Sequence, residues 1–296
     1  MSDIEHIAIE RLKAASEMSL KYYKQPLLIC ISGGKDSSVI TELAIRAGIP
    51  VEFMHNHTTA DAPETVRFVR SEFKRLEELG YQCTLNMPTY KGKRVSMWSL
   101  IPQKLIPPTR LIRYCCPVFK ETGGSGRFIA TGVRWAESTK RKNNRGIYEI
   151  TGKGKPVVML TNDNDDSRRL FETCTIKAKR VVNPIIDWQD ADVYGFTEDA
   201  KCPMNPLYGY GFCRVGCIGC PMSGKKGREA EFRRWPRYKG LYIRAFDNML
   251  MERERKGTKE NAIGWQTAND VFNWWMEYDI LPGQMEIEEF LEGYDE

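Results

Sequence analysis

Two groups of residues carry chemistry by type and spacing. Ser32-Gly33-Gly34-Lys35-Asp36-Ser37-Ser38 packs paired glycines, a lysine and three hydroxyls into seven positions. Glycines let a backbone approach phosphate oxygens closely, the amides at a helix N-terminus point at them, and the lysine adds a point charge. The spacing is not the Walker A pattern, which needs four residues between its first Gly and Gly-Lys. Asp36 either holds Mg²⁺ on nucleotide phosphates or caps the following helix. The second group is Cys115-Cys116 with Cys217-Ile218-Gly219-Cys220. Four thiolates suit either a [4Fe–4S] cluster or a structural Zn²⁺, and adjacent cysteines are awkward for tetrahedral zinc. Gly216, Gly219 and Pro221 bend the backbone as a ligand loop requires. Cys213 either completes the set in place of one of the adjacent pair or stays a reactive thiol beside Arg214. Cys202 is a weaker candidate of the same kind, whereas Cys30, Cys83 and Cys174 read as buried small hydrophobes. His55 and His57 have no carboxylate pattern beside them and read as polar strand-end residues.

The elements that must position these groups follow from the apolar periodicity. Residues 4–24 have helical spacing, and Leu27-Leu28-Ile29-Cys30-Ile31 is a short run of buried-strand type that leads straight into the glycine loop. Residues 37–47 read as a helix closed by Gly48, residues 51–56 as a second strand, and Pro63 opens a helix running to about Gly80. Cys83-Thr84-Leu85, Phe128-Ile129-Ala130-Thr131 and residues 180–185 supply three further strands. The alternation predicts an α/β fold with a mostly parallel five-stranded sheet and helices on both faces. The glycine loop then falls at the carboxyl edge of the sheet, where ligands bind. Residues 90–121 read as an irregular insertion, residues 140–164 as surface hairpins and residues 190–199 as a short helix. Residues 228–256 and 267–278 read as a helical C-terminal appendage with Phe232, Trp235, Tyr238, Tyr242, Trp274 and Trp275 in its core. The expected division is a nucleotide-binding domain over residues 1–200 and a cysteine loop with helices over residues 201–296.

Composition narrows the function. The 296-residue chain has nine cysteines, an odd number that argues against a disulfide framework and for metal or redox chemistry in a reducing compartment. No apolar run reaches membrane-span length and the N-terminus lacks a signal-peptide pattern, so a cytoplasmic protein with no membrane partner is expected. Residues 277–296 hold eight acids and no base, which leaves 31 acids against 44 bases in the rest. That excess favours an anionic partner, a nucleotide or a polynucleotide. Residues 228–256, with nine bases and five acids, fit a polyanion or an ion-paired solvated helix equally.

The glycine loop resembles the PP-loop of the N-type ATP pyrophosphatases and the related phosphoadenylylsulfate reductase superfamily. The likeness continues in Thr59-Ala60-Asp61-Ala62-Pro63-Glu64-Thr65 and in Thr131-Gly132-Val133-Arg134-Trp135-Ala136-Glu137-Ser138 with Arg141. It ends in Asn183-Pro184-Ile185-Ile186-Asp187-Trp188 followed by Asp192-Val193-Tyr194. The cysteine arrangement is similar to that of adenylylsulfate reductases, where it holds a [4Fe–4S] cluster. The resemblance implies an adenine nucleotide α-hydrolase-like fold, with the nucleotide held by residues 32–38, Gly132, Arg134 and Arg141. Physically, the guanidinium of Arg134 can grip an anionic group, while Arg141 serves equally as a solvated base.

Two reactions branch from this resemblance. Sulfonucleotide reductases attack adenylylsulfate or its 3′-phosphate with a cysteine on a C-terminal tail, release sulfite, and are resolved by a dithiol reductant. This sequence has no cysteine after Cys220, so Cys202 or Cys213 would have to replace that nucleophile. The other branch cleaves Mg²⁺-ATP to AMP and pyrophosphate to activate an acceptor for sulfur insertion, as in enzymes resembling the DNA phosphorothioation proteins. The glycine loop is of the pyrophosphatase type, so the expectation is a sulfurtransferase with Lys35, Arg134 and Cys213 in catalytic roles. Its acceptor would be a nucleic acid and its sulfur donor an enzyme such as a cysteine desulfurase. A nucleotide-binding subunit without turnover is the remaining alternative.

Overall fold

The computed structural model describes residues 2–151, 158–161, 179–257 and 264–277. In chain order its helices are α1 (Asp3–Tyr23), α2 (Lys35–Ala47), α3 (Pro63–Glu78), α4 (Met97–Lys104), α5 (Cys115–Phe119), α6 (Thr139–Asn144), α7 (Asp190–Asp199), α8 (Gly224–Arg234), α9 (Pro236–Arg255) and α10 (Ala268–Glu277). The strands are β1 (Leu27–Cys30), β2 (Val51–Asn56), β3 (Gln82–Asn86), β4 (Thr89–Tyr90), β5 (Lys93–Arg94), β6 (Phe128–Ala130), β7 (Tyr148–Thr151), β8 (Val158–Leu160) and β9 (Lys179–Val182). They divide into two compact units, Met1–His57, Ala62–Met87 and Glu121–Val215 in the first, Thr58–Asp61, Pro88–Lys120 and Gly216–Glu296 in the second. The chain thus passes between the units several times instead of once near residue 200.

The first unit is built on one sheet of order β3-β2-β1-β6-β9-β7-β8. The five strands expected from sequence are all there and all parallel, with Leu27 opposite Val51, Leu28 opposite Ile129 and Ile129 opposite Val181. The hairpin region expected at the surface instead adds β7, antiparallel to β9, and β8, antiparallel to β7. Ile147, Tyr148, Ile150 and Leu160 are buried there, and so is Glu149, whose carboxylate takes the Arg145 guanidinium at 2.7 Å and the Asn183 amide at 2.7 Å. A charge satisfied in this way can sit inside a sheet, which is why a polar stretch forms a strand.

Side chains alternate across the sheet. Leu27, Ile29, Phe53, Phe128, Ala130 and Val182 join residues of α1, α2, α3 and α7 in the main core, while Leu28, Met54, Ile129 and Val181 form a smaller cluster on the opposite face. Local signals fix the helix ends. Ser2 Oγ accepts from the Glu5 amide, Pro63 opens α3, and Gly48 closes α2 at φ +62° with its N–H on Ile45 O.

The second unit is mainly helical, with α4 and α10 both packed on α9. Phe232, Tyr242, Phe246 and Trp275 stack with ring centroids 4.6–6.1 Å apart, as the sequence pattern anticipates. The C-terminal helical stretch is broken at Trp235, where Pro236 starts a new helix because it cannot continue the old one. Arg228 is buried and donates to the carbonyls of Trp275 (2.6 Å) and Met276 (3.3 Å), satisfying the C-terminal end of α10. No described helix is long and apolar enough to cross a membrane.

Candidate nucleotide site and cysteine centre

In the first unit the segments that follow three neighbouring parallel strands, β1, β6 and β9, meet at the start of α2. Ser32-Gly33-Gly34 follows β1. Gly33 has φ +80°, and a Cβ there would stand 2.8 Å from Thr65 Cγ2, so both conformation and space demand glycine. Thr131-Gly132 follows β6, and a Cβ on Gly132 would lie 2.8 Å from the backbone of Asp36, which fixes that glycine too. Asn183 follows β9 and hydrogen-bonds Thr131 Oγ1. Within the loop, Ser37 Oγ donates to Gly34 O at 2.7 Å and Ser32 Oγ lies 3.2 Å from Ser37 Oγ. Ser38 is buried, with its amide on Gly34 O.

Charge is concentrated beside this loop. Arg134 is 1% exposed and its guanidinium is fully enclosed: Nε donates to Asp36 at 2.6 Å, one terminal nitrogen to Asp190 at 2.7 Å, and the other to the Trp188 carbonyl at 3.2 Å. Lys35 Nζ sits 3.6 Å from Asp36 and 3.5 Å from Asp190. Asp36 does not cap α2, whose N-cap is Gly34. Asp190 is 68% exposed, and its hydrogen bond with Arg134 holds its carboxyl below the ordinary value. Arg141 is half-buried and ion-paired with Glu137; burial, then Arg145 and Arg214, lower its pKa, so positive charges crowd this edge.

Asp190, Asn205 and Tyr208 were not singled out by sequence. Asn205 Nδ2 donates to Gly33 O (2.9 Å) and to Thr65 Oγ1 (3.1 Å), and Tyr208 Oη accepts the Lys35 amide at 2.9 Å. These partners lie 140 to 173 residues apart, beyond the reach of local pattern. Cys213 is exposed in the same unit, whereas Cys202 is buried in the core and its thiol is pushed up to about 11 by burial, which removes it as a nucleophile. Cys174 lies outside the described residues. His55 is buried with Nδ1 2.8 Å from Ile31 O.

In the second unit Cys115, Cys116, Cys217 and Cys220 line one cavity together with Lys120 and Tyr242, about 360 Å³ counting space open to solvent. No disulfide links the described cysteines. The first pair is carried on α5, the second on the turn before α8. That turn is held tightly: the Ile218 amide donates to Ala60 O, Cys217 Sγ to Thr58 Oγ1, and Tyr242 Oη to Ile218 O. The Gly219 amide donates to Glu231 at 2.6 Å. Gly219 has φ +73°, and a Cβ would meet Phe232, Tyr242 and Trp275 within 3.0 Å. Residues 58–61, which lead into the Pro-Glu-Thr motif, are therefore a brace for the cysteine turn.

The hydrogen bond with Cys116 and then burial push the Cys115 thiol up, burial does the same to Cys217, and Cys217 is the largest influence raising Lys120. Thiols so crowded resist ionising together unless a metal centre sits among them. Four sulfur donors lining one cavity with a lysine beside them offer the donor chemistry of an iron–sulfur cluster.

A glycine loop at the carboxyl edge of a mostly parallel sheet, braced by the segments after two neighbouring strands, defines an α/β protein with its candidate site at that edge. The chain belongs to the phosphoadenosine phosphosulfate reductase domain family, whose model matches residues 26–223. It is 26% identical over 294 residues to an uncharacterized protein of Methanocaldococcus jannaschii, covering 96% of this chain and 62% of that protein. A second uncharacterized protein of that organism is 24% identical, with 67% of this chain and 36% of that protein covered. The chain thus spans less than two thirds of these relatives. An adenosine 5′-phosphosulfate reductase of Neisseria meningitidis serogroup B is 38% identical over 123 residues, 42% of each chain. Among solved structures, the phosphate complex of phosphoadenylyl-sulfate reductase from Candida auris superposes with a TM-score of 0.42 at 16% identity, over 73% of this chain and 96% of that one.

Proposed function

We propose that the protein binds Mg²⁺-ATP over residues 32–38, cleaves it to AMP and pyrophosphate, and uses the adenylated acceptor for sulfur transfer. The observation that carries this reading is the pair of carboxylates, Asp36 and Asp190, set beside Lys35 at the glycine loop. A divalent cation on a triphosphate needs oxygen ligands there; a sulfonucleotide losing sulfite needs none. An acceptor oxygen attacks the α-phosphorus as the bond to the β-phosphate oxygen breaks, and pyrophosphate leaves with the electron pair. Lys35 and the loop amides stabilise the charge that develops on it. The donor passes its outer persulfide sulfur to the exposed Cys213, that sulfur attacks the activated atom of the acceptor, and AMP departs with the electron pair of the broken bond. A dithiol reductant cleaves the resulting disulfide, leaving sulfur on the acceptor and restoring the Cys213 thiol while the dithiol is oxidised.

Arg134 acts in this scheme by holding Asp36 and Asp190 in place, a different part from gripping an anion directly. Cys115, Cys116, Cys217 and Cys220 hold a [4Fe–4S] cluster, whose chemistry when bound is the handling of sulfide. The acceptor is a nucleic acid: residues 88–120 carry seven bases and no acid, with Lys91, Lys93, Arg94, Arg110 and Arg113 exposed.

The exposed Cys213 also supports a second reading, reduction of adenylylsulfate to AMP and sulfite through a thiosulfonate on that cysteine, with a dithiol as reductant. Incubating anaerobically reconstituted protein with ATP plus RNA or DNA, and separately with adenylylsulfate, separates the two. Pyrophosphate from ATP supports the first reading; sulfite from adenylylsulfate, without pyrophosphate from ATP, supports the second.

A further inference from the structure

The geometry points to Tyr208 as a ligand-contacting residue that donates its hydroxyl hydrogen to a phosphate oxygen of the bound nucleotide. This inference rests on the nucleotide reading proposed above. Tyr208 Oη accepts the amide of Lys35, the first residue of α2, at 2.9 Å, and stands 3.4 Å from where a Cβ of Gly34 would be. The phenol therefore covers an amide that would otherwise point at a phosphate. Its own hydrogen has no acceptor among the described residues, so the hydroxyl takes one hydrogen bond from the loop and has one left to give.

The ring is placed by a short turn that is itself tied to the loop. Asn205 Oδ1 accepts the Leu207 amide at 3.1 Å while Asn205 Nδ2 donates to Gly33 O at 2.9 Å. The Tyr208 amide returns to Asn205 O, and Gly211, at φ +83°, closes the turn onto Tyr208 O. Two side chains of one turn, Asn205 and Tyr208, thus hold the glycine loop at Gly33 and Lys35. Burial pushes the Tyr208 hydroxyl up to about 12, so it stays a donor across the neutral range. A chain Lys35 N–H to Oη–H to phosphate oxygen passes the polarity of the helix N-terminus on to the ligand, each bond polarising the next.

The alternative is a phenol that merely blocks the amide and must be displaced, and the two differ in sign. Tyr208→Phe keeps the ring and removes only the hydroxyl. The test measures binding of inorganic pyrophosphate, Mg²⁺-ATP and adenosine to the full chain, parent and variant, by calorimetry. A donor role predicts pyrophosphate and ATP weakened about tenfold, the scale of one hydrogen bond to a charged group, with adenosine unchanged. Equal or tighter pyrophosphate binding by the variant would overturn the inference, as would an equal loss for adenosine, which marks general damage to the loop. If the parent binds neither pyrophosphate nor ATP, the nucleotide reading itself fails and takes this inference with it. Asn205→Ala, which loosens the turn but keeps the hydroxyl, should weaken pyrophosphate less than Tyr208→Phe does; a larger loss would count against the hydroxyl.

Discussion

Arg134→Met should destabilise the first unit strongly, and the structure sets the size. The side chain is 1% exposed and makes three hydrogen bonds, to Asp36, Asp190 and the Trp188 carbonyl. Methionine replaces the stem but leaves the Trp188 carbonyl without the guanidinium and the two carboxylates to Lys35, 3.6 and 3.5 Å away. The Asp36 bond is largely shielded and contributes about 2 kcal/mol, the buried carbonyl about 1 kcal/mol, and Asp190, mostly in water, no more than about 0.5 kcal/mol. The total of roughly 3 kcal/mol corresponds to a melting point lower by about 6–12 °C for a unit of this size. Asp36→Asn removes the same ion pair from the other side, so the double variant should cost less than the two singles together, with a coupling of about 1–2 kcal/mol. Arg134→Lys should rescue little, because one ammonium cannot reach all three acceptors. The pH dependence has a fixed sign. Arg134 depresses the folded carboxyl of Asp190, so its stabilisation is present above the ordinary carboxylate value near pH 4 and is lost as pH falls further. The difference between the parent and Arg134→Met should shrink in acid by no more than the Asp190 share, about 0.5 kcal/mol. Calorimetric melting of the parent and the four variants between pH 3 and 8 checks this. A variant within 2 °C of the parent, or zero coupling with Asp36→Asn, would show that the enclosed guanidinium does not organise the site.

Three other outcomes follow from the same geometry. Cys116→Ser or Cys217→Ser should reduce iron bound after anaerobic reconstitution to less than about half of the parent's, while Cys202→Ser, far up the thiol scale and buried, should leave it unchanged; iron and sulfide assays report both. Iodoacetamide under native conditions should label Cys213 and spare Cys202, read by peptide mass spectrometry, because only the exposed thiol is open to the reagent. Replacing Lys91, Lys93 and Arg94 together by Glu should weaken single-stranded RNA binding and lower the slope of log affinity against log salt by about 2, measured by fluorescence anisotropy; an unchanged slope would remove that hairpin from the acceptor surface.

The parts of the molecule legible in the sequence are those encoded locally. Leu27 to Ile31 announces a buried strand by its unbroken apolar run, and Gly-Gly-Lys after it marks the turn into α2. Cys115-Cys116 and Cys217-x-x-Cys220 declare a four-donor set because donors one or three residues apart restrict what else they can be, and all four line one cavity. What was hidden depends on distant partners. Strand β7 is polar on paper because Glu149 is neutralised only by Arg145 and Asn183. Arg134 reads as an anion grip until Asp36 and Asp190, 98 and 56 residues away, are seen to enclose it. Asn205 and Tyr208 stand in a loop dominated by its cysteines, and their grip on Gly33 and Lys35 leaves no periodic trace. Asp61 belongs by sequence to the Pro-Glu-Thr motif and by structure, through Thr58, to the brace of the cysteine turn.

The central claim is ATP cleavage between the α and β phosphates at residues 32–38. Exchange of radiolabelled pyrophosphate into ATP measures it most directly, since it requires reversible formation of an adenylate and nothing from the sulfur donor. With RNA or DNA as acceptor and Mg²⁺ present, the parent should catalyse exchange, and Lys35→Ala should reduce the rate at least about a hundredfold, the scale of losing one charge that stabilises the leaving group. No exchange by reconstituted parent with any nucleic acid, together with sulfite release from adenylylsulfate, would contradict it.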